Sequence, residues 1–248
     1  MTALALAVFF VIPAAHQEVA PQPKVSASQI MSKMFAHYAD AKSAVGTVKM
    51  AQTADGVTVH TNTDLQFERP NLIFLHQARD GSRARQWFLT SDGREFSYDR
   101  PEDQVYGPDR FVEYVTQHNV TLTISEYLLA SMKSMGDINP MLESAIASRE
   151  WLKRLTGQWA SLTYRGRSTV NGQEVDWISG KFRETAFAKA SGEFEAFITD
   201  SGDFVRYVLH QQVTFKRLRK EPINITTIWD ADIKLNVKTD PSLYKVLK

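Results

Sequence analysis

The stretch Asp64-Leu-Gln-Phe-Glu-Arg-Pro-Asn-Leu-Ile-Phe74 decides the fold of this chain, together with Ser91-Asp92-Gly93 further on. It predicts two β-strands that are joined at Arg69-Pro70. From residue 57 to residue 67 the odd-numbered positions are apolar or threonine, whereas the even-numbered positions are polar. A period of two with one apolar side is typical of a half-buried antiparallel strand. Arg69 falls on the apolar side at the end of that strand, where its charge needs a partner or a rim.

Composition excludes several classes of protein. The 248 residues are 43% hydrophobic and 23% charged, which is an ordinary globular balance with room for one β-rich domain. A net charge of +1 argues against a dedicated nucleic-acid binder, and no nucleic-acid partner is predicted. Because the chain has no cysteine, it lacks disulfides, thiolate metal sites, a cysteine nucleophile and a lipid-modified cysteine.

The N-terminal residues predict export. Residues 3–12 are an unbroken apolar run, too short to span a bilayer but suited to the core of a secretory signal. Residues 1–17 are therefore predicted to be a signal peptide, although no basic residue precedes the run and a retained loose anchor stays open. Residues 18–25 form a proline-containing linker, and residues 26–248 form a single domain. Export without cysteine indicates a periplasmic location.

The first half of the domain reads as one helix and a series of strands. Ser26 and Gln29 fit a capping box, so a helix is predicted from residue 26 to about residue 42. Asp55-Gly56 is a strong hairpin signal between two of the strands. Residues 100–119 are less regular and predict a loop with a short helical piece. The strands are predicted at residues 45–51, 57–68, 72–78, 85–90 and 95–99.

The second half begins with a change of period. Thr123 with Glu126, and then Asn139-Pro140, are helix-start signals, which predict two helices between residues 123 and 157. Strands resume at Trp159, with a hairpin at Asn171-Gly172 and long amphipathic strands at residues 204–215 and 223–235. The predicted fold class is α+β, with a strongly curved antiparallel sheet or open barrel.

The segment Arg69-Pro70-Asn71-Leu72, with Ser91-Asp92-Gly93 and Tyr98 at similar spacing, resembles the signature stretch of the LolA-like superfamily. Its members are periplasmic lipoprotein carriers, their receptors and outer-membrane lipoprotein-sorting proteins. The resemblance implies a half-open β-barrel that holds acyl chains and is covered by an N-terminal helix and a two-helix insert. It also implies that Arg69 hydrogen-bonds barrel to lid and gates cargo entry. A structural arginine that caps loops is the alternative, and the insert is longer than the carrier's.

The same resemblance implies a ligand cavity and a lid. Flexible methionine side chains in the lid would suit chains of varied shape. The alternative is that these side chains fill a solid core, as in many small barrels. The lid and gating residues would be Arg69, Met34, Tyr38, Leu128, Met132 and Met135. The cavity would be lined by Leu65, Phe67, Phe74, Trp87, Phe96, Tyr98, Tyr207, Ile225 and Trp229.

Catalysis finds little support in the sequence. The six histidines are scattered without metal-ligand spacing, and neither a phosphate-binding loop nor a nucleophile elbow is present. We therefore predict a protein that is not an enzyme and that has no cofactor or metal. The basic run from Lys216 to Lys220 fits either a solvated hairpin tip or a transient contact with anionic lipid head groups.

Three functions remain in view. The first is a periplasmic carrier that shields the acyl chains of a lipoprotein or lipid. The second is a sensor or interaction module of the cell envelope, with an envelope protein as partner, as in the LolA-like domains of anti-sigma regulators. The third is a structural envelope protein whose core is full.

Overall fold

The described residues form one large antiparallel sheet, one N-terminal α-helix and a short 3-10 helix. The computed structural model describes residues 25–80, 85–94, 96–100, 111–115, 146, 159–182, 191–213 and 221–245. The helix α1 spans Ala27–Ala39, and a 3-10 helix spans Pro241–Tyr244. The strands are β1 Ser43–Ala54, β2 Val57–Glu68, β3 Leu72–Arg79, β4 Arg85–Asp92, β5 Phe96–Arg100, β6 Phe111–Val115, β7 Trp159–Val170, β8 Gln173–Phe182, β9 Ser191–Ile198, β10 Phe204–Val213 and β11 Ile223–Leu235.

The first and last strands, β1 and β11, pair with each other near the centre of the sheet. The strand order is β6-β5-β4-β3-β2-β1-β11-β10-β9-β8-β7, and every pairing is antiparallel. Because β6 and β7 are the two edges, residues 116–158 connect one edge of the open sheet to the other. The predicted pair of inserted helices lies in this connection, outside the described residues except for Ile146, which is helical.

Two tight turns have the backbone that their sequences require. Asp55 and Gly56 have φ values of 49° and 78°, and Asn171 and Gly172 have φ values of 52° and 77°. Positive φ at both central residues defines the type I′ hairpin turn, whose twist matches that of the flanking strands. Both hairpin predictions are confirmed, and β2 begins and ends at the residues that the alternating pattern predicts.

Helix α1 begins at the predicted capping box. The Ser26 hydroxyl accepts a hydrogen bond from the backbone N–H of Gln29 at 3.2 Å, and the Gln29 side chain accepts one from the Ser26 N–H at 2.9 Å. The helix ends at Ala39, slightly before the predicted end. One face of α1 is buried, and it comprises Ala27, Ile30, Met31, Met34, Phe35 and Tyr38.

The buried face of α1 packs on one side of the sheet, which we call the covered face; the other side is the outer face. The covered face forms one continuous core from β4 to β8. A smaller cluster on the outer face contains Val170, Val175, Phe197 and Val205. The core of the covered face includes Leu65, Phe67, Leu75, Trp87, Leu89, Ile178, Phe194, Tyr207 and Trp229.

The prediction of a loop with a short helical piece at residues 100–119 is wrong for residues 111–115. Phe111–Val115 is a strand that pairs with β5, not a loop or a helical piece. Its sequence, Phe-Val-Glu-Tyr-Val, consists mostly of β-branched and aromatic residues, which favour strands. No helix within the described ranges has the length and apolar character needed to cross a membrane.

Candidate functional site

Arg69 connects the end of β2 to two other parts of the chain. Its Nε donates to the Ala41 carbonyl at 2.9 Å, and its two terminal nitrogens donate to the carbonyls of Tyr38 and Ile146, each at 3.4 Å. The guanidinium lies 5.2 Å from the centre of the Phe67 ring, within the range of cation–π attraction. Burial lowers the pKa of Arg69 from its ordinary value. Arg69 thus binds three backbone carbonyls, two near the end of α1 and one in the 116–158 connection.

The two halves of the signature stretch are bonded to each other. The side-chain amide of Asn71 donates to the carbonyl of Gly93 at 3.0 Å. Gly93 has a φ of 86°, a backbone conformation that favours glycine. A Cβ at this position would also lie only 3.0 Å from the Asn71 amide oxygen, so there is little room for a side chain. The Ser91 hydroxyl accepts from the Gly93 N–H at 3.2 Å. The spacing of the two sequence motifs therefore reflects a turn held by Asn71.

Most of the predicted lining residues lie on the covered face. Leu65, Phe67, Trp87, Tyr207 and Trp229 are there, and none of them is more than 4% exposed. Strand register assigns three further residues to this face. Phe96 stands opposite Ser91, and Tyr98 stands opposite Leu89. Ile225, which is half-buried, stands opposite Ala54 at the margin of the face.

Phe74 does not lie with the others. It stands opposite Gln66 in the β2–β3 pairing, whereas Leu65 stands opposite Leu75. Because neighbouring residues of a strand point to opposite faces, Phe74 is on the outer face, and its assignment to the cavity is corrected. Of the predicted lid residues, Met34 and Tyr38 are buried on α1, whereas Leu128, Met132 and Met135 lie outside the described residues.

A row of aromatic rings connects α1 with the centre of the covered face. Phe35 of α1 stacks on Trp159 at 5.7 Å, and Trp159 lies 5.6 Å from Phe194. The row continues to Tyr207 at 5.5 Å and from there to Trp229 at 5.7 Å. Such ring pairs add to the stability gained from burial alone. The sequence predicted Tyr207 and Trp229 but missed Trp159 and Phe194, whose strands have weaker alternation.

Helix α1 is also held by polar contacts to the β9–β10 turn. The buried Tyr38 hydroxyl accepts a hydrogen bond from the Phe204 N–H at 3.0 Å, and His37 Nε2 lies 3.1 Å from an Asp203 oxygen. Burial acts to raise the pKa of Asp203, but hydrogen bonds from Ser201, His37 and Thr199 outweigh it and lower the pKa below its ordinary value.

A cleft of about 350 Å³ opens between α1 and the edge strand β7. Its size falls within the range of small-molecule sites. The floor includes Met31 and Trp159, which border the aromatic row. The full lining is Ser28, Met31, Ser32, Trp159, Ala160, Ser161 and Leu162.

Among the residues that the structure describes, no three His, Asp or Glu side chains are grouped to hold a metal ion.

Comparisons of sequence and of structure give different results. No family model and no curated protein matches the sequence. The fold is similar to the lipoprotein LppX of Mycobacterium tuberculosis, with 12% identity, a TM-score of 0.48, and 86% of this chain and 97% of that one covered.

Two further solved structures are similar. One is a LolA superfamily protein from Nitrosomonas europaea, at 11% identity and a TM-score of 0.34, with 90% of this chain and 98% of that one covered. The other is the MucA/MucB complex of Pseudomonas aeruginosa, at 10% identity and a TM-score of 0.44, with 89% of this chain and 60% of that one covered.

Proposed function

We propose that this protein is an exported, periplasmic binding protein that shields the acyl chains of a lipid or lipoprotein against the covered face of its sheet. The observation that carries the proposal is the continuous apolar and aromatic core that α1, Ile146 and the covered face share from β4 to β8. Each buried methylene is worth about 0.8 kcal/mol, so a long acyl chain gains on the order of 10 kcal/mol by leaving water. That gain acts against the cost of separating packed elements.

Entry of an acyl chain requires such a separation. The lining residues Leu65, Phe67, Trp87, Tyr207 and Trp229 are nearly inaccessible to solvent. Arg69 ties the end of α1 and the backbone at Ile146 to the sheet, so it acts as the latch that opens when a chain enters. The cleft beside β7 gives the chain a starting point, because it leads to the aromatic row through Met31 and Trp159.

The same burial favours one alternative function. A covered face on which the named side chains are at most 4% exposed is also what a structural envelope protein with a filled core would have. The two functions differ in whether α1 ever leaves the sheet.

Lipid extraction separates the two functions. The full chain is purified without detergent from the envelope of cells that export it, and an organic extract is analysed by mass spectrometry. We expect near-stoichiometric acyl lipid or lipoprotein. The control is another exported protein of similar size, purified in the same way, which reports lipid carried over by the procedure. Repeated recovery of an empty protein would refute the carrier and leave the structural function.

A further inference from the structure

Among the residues that the structure describes, the buried polar atoms without a hydrogen-bond partner include four on the covered face. They are Oγ1 of Thr61, Oε1 of Gln77, and Nε1 of Trp87 and of Trp229. The four side chains are 1%, 3%, 2% and 3% exposed. Buried polar groups are nearly always paired, so four unpaired atoms on one face require an explanation.

Strand register brings these residues into one band across the sheet, which we call the polar belt (Thr61, Gln77, Trp87 and Trp229). Gln77 on β3 stands directly opposite Trp87 on β4. Thr61 on β2 stands opposite Met50 on β1, which in turn stands opposite Trp229 on β11. Residues paired in this way share a face and stand close together. The belt therefore crosses five neighbouring strands.

The belt lies far from the latch. Thr61 and Arg69 are separated along the direction of β2 by roughly 26 Å, from about 3.3 Å per residue. Between them the covered face of β2 carries Thr63, which is bonded to Gln77, and then Leu65 and Phe67, all buried. The face is thus apolar towards Arg69 and α1 and becomes polar towards the end that carries the β1–β2 hairpin.

The unpaired hydrogen-bond donors and acceptors of the belt define what it can bind. The two indoles donate only, and a threonine hydroxyl can donate or accept. Gln77 already uses its amide nitrogen, which donates to the Thr63 hydroxyl at 3.2 Å, so its free oxygen is an acceptor. Arg79, which stands opposite Thr61, already takes part in another interaction. The complement is an uncharged group with carbonyl oxygens and one N–H or O–H.

We infer that the polar belt binds the ester- or amide-linked head of an acyl ligand whose chains lie along Leu65 and Phe67 towards Arg69. The inference rests on the proposed function, because it assumes that an acyl chain occupies the covered face. It assigns the ligand an orientation: carbonyl at the belt, tail at the latch. The carbonyl oxygens of the ligand head then accept hydrogen bonds from the indole N–H groups and from the Thr61 hydroxyl.

A pair of probes that differ in one carbonyl tests this inference on the full chain. 1-Palmitoylglycerol carries an ester, and 1-hexadecylglycerol is the matching ether without a carbonyl. Binding is measured by displacement of an environment-sensitive hydrophobic dye. We expect the ester to bind about fivefold to tenfold more tightly than the ether, the factor that one neutral hydrogen bond provides. Palmitate tests an anionic head and is expected to bind more weakly than the ester.

Thr61→Val is the matched variant, because it replaces the unpaired hydroxyl with a methyl of similar size. We expect it to reduce the preference for the ester several-fold and to leave the ether unchanged. Its melting temperature should stay the same or rise, since an unpaired buried hydroxyl is removed. Thr63→Val is the control on the same strand and face; it breaks the bond from Gln77, so it should melt at a lower temperature.

The outcomes separate the two levels of the proposal. If neither glycerol lipid binds, both the proposed function and the belt are refuted. If ester and ether bind equally, or palmitate binds best, the acyl-binding function stands and the belt's role is overturned. A lower melting temperature for Thr61→Val would also overturn it, because the hydroxyl would then have a structural partner.

Discussion

Arg69 is the residue at which stability and function are expected to meet. A buried guanidinium that donates to three carbonyls is costly to remove, because all three hydrogen bonds are lost together. We predict that Arg69→Leu lowers the free energy of unfolding by about 1–3 kcal/mol without changing the fold. Urea unfolding followed by circular dichroism measures the change.

A latch and a structural arginine differ in a second measurement. If Arg69 is a latch, Arg69→Leu should also speed the exchange of bound lipid into vesicles. Arg94→Leu, on an exposed arginine of the β4–β5 turn, is the control and should change neither property. A variant that loses stability but exchanges lipid at the wild-type rate would leave Arg69 a purely structural role.

Asp203 gives the protein a specific sensitivity to acid. Its pKa is lower in the folded state than in the unfolded chain, so its contribution to stability is complete above the ordinary aspartate pKa of about 3.9 and is lost as the pH falls through the folded-state value. We predict that wild-type stability falls more steeply than that of Asp203→Asn when the pH is lowered from about 5 to about 3. Unfolding curves at several pH values test this; parallel decline of the two proteins would contradict it.

At the scale of the element, α1 depends on its N-cap as well as on packing. Ser26 and Gln29 satisfy each other's backbone N–H groups at the start of the helix. We predict that Ser26→Ala costs about 1 kcal/mol, the usual value of a lost cap. Thermal unfolding provides the measurement. Ser32→Ala, at an exposed position within the same helix, should be neutral or slightly stabilising because alanine favours helix. Equal effects of the two substitutions would argue that the cap contributes nothing.

The strands show where sequence periodicity is sufficient and where it is not. The β2 strand was predicted to the residue because strict alternation meets an Asp55-Gly56 turn at one end and Arg69-Pro70 at the other. In β3, residues Leu72 to Leu75 are all apolar, so alternation could not tell its two faces apart. Pairing with β2 decides the face, and this is why Phe74 was misplaced.

At the scale of the whole molecule, the pairing of strands that are distant in the chain could not be predicted from the sequence. Local patterns predicted the antiparallel strands, and the donor geometry of the guanidinium predicted that Arg69 would bind helix-end or loop carbonyls. Nothing in the pattern of β1 indicates that it pairs with β11, because that pairing depends on the whole sheet. The polar belt was invisible for the same reason: Thr61 and Gln77 look like ordinary strand residues until register places Gln77 opposite Trp87 and Thr61 in line with Trp229.

The C-terminal segment is bonded to β1 through Asn236 and Val237, and further along to a side chain of β2 that the sequence did not single out. Gln66 is on the outer face of β2 and is 3% exposed. Its amide nitrogen donates to the Asp240 carbonyl at 2.7 Å, and its oxygen accepts from the Asp240 N–H at 2.8 Å. This pair of bonds mimics a strand bridge and fixes the segment that leads to the Pro241–Tyr244 helix, which packs on β3 and β4.

We therefore predict that Gln66→Met, which keeps the length of the side chain but removes both bonds, lowers the free energy of unfolding by about 1–2 kcal/mol. Hydrogen exchange should show reduced protection of the backbone amides at residues 240–245, while the strands of the sheet and Asn236, whose N–H donates to the Ser43 carbonyl, keep theirs. Gln86→Met, at an exposed glutamine of β4, should alter stability by no more than about 0.5 kcal/mol. Undiminished protection of residues 240–245 in Gln66→Met would mean that the other contacts of the segment, which include the burial of Tyr244 and the bond from Thr239 to Glu68, hold it to the sheet without the amide of Gln66.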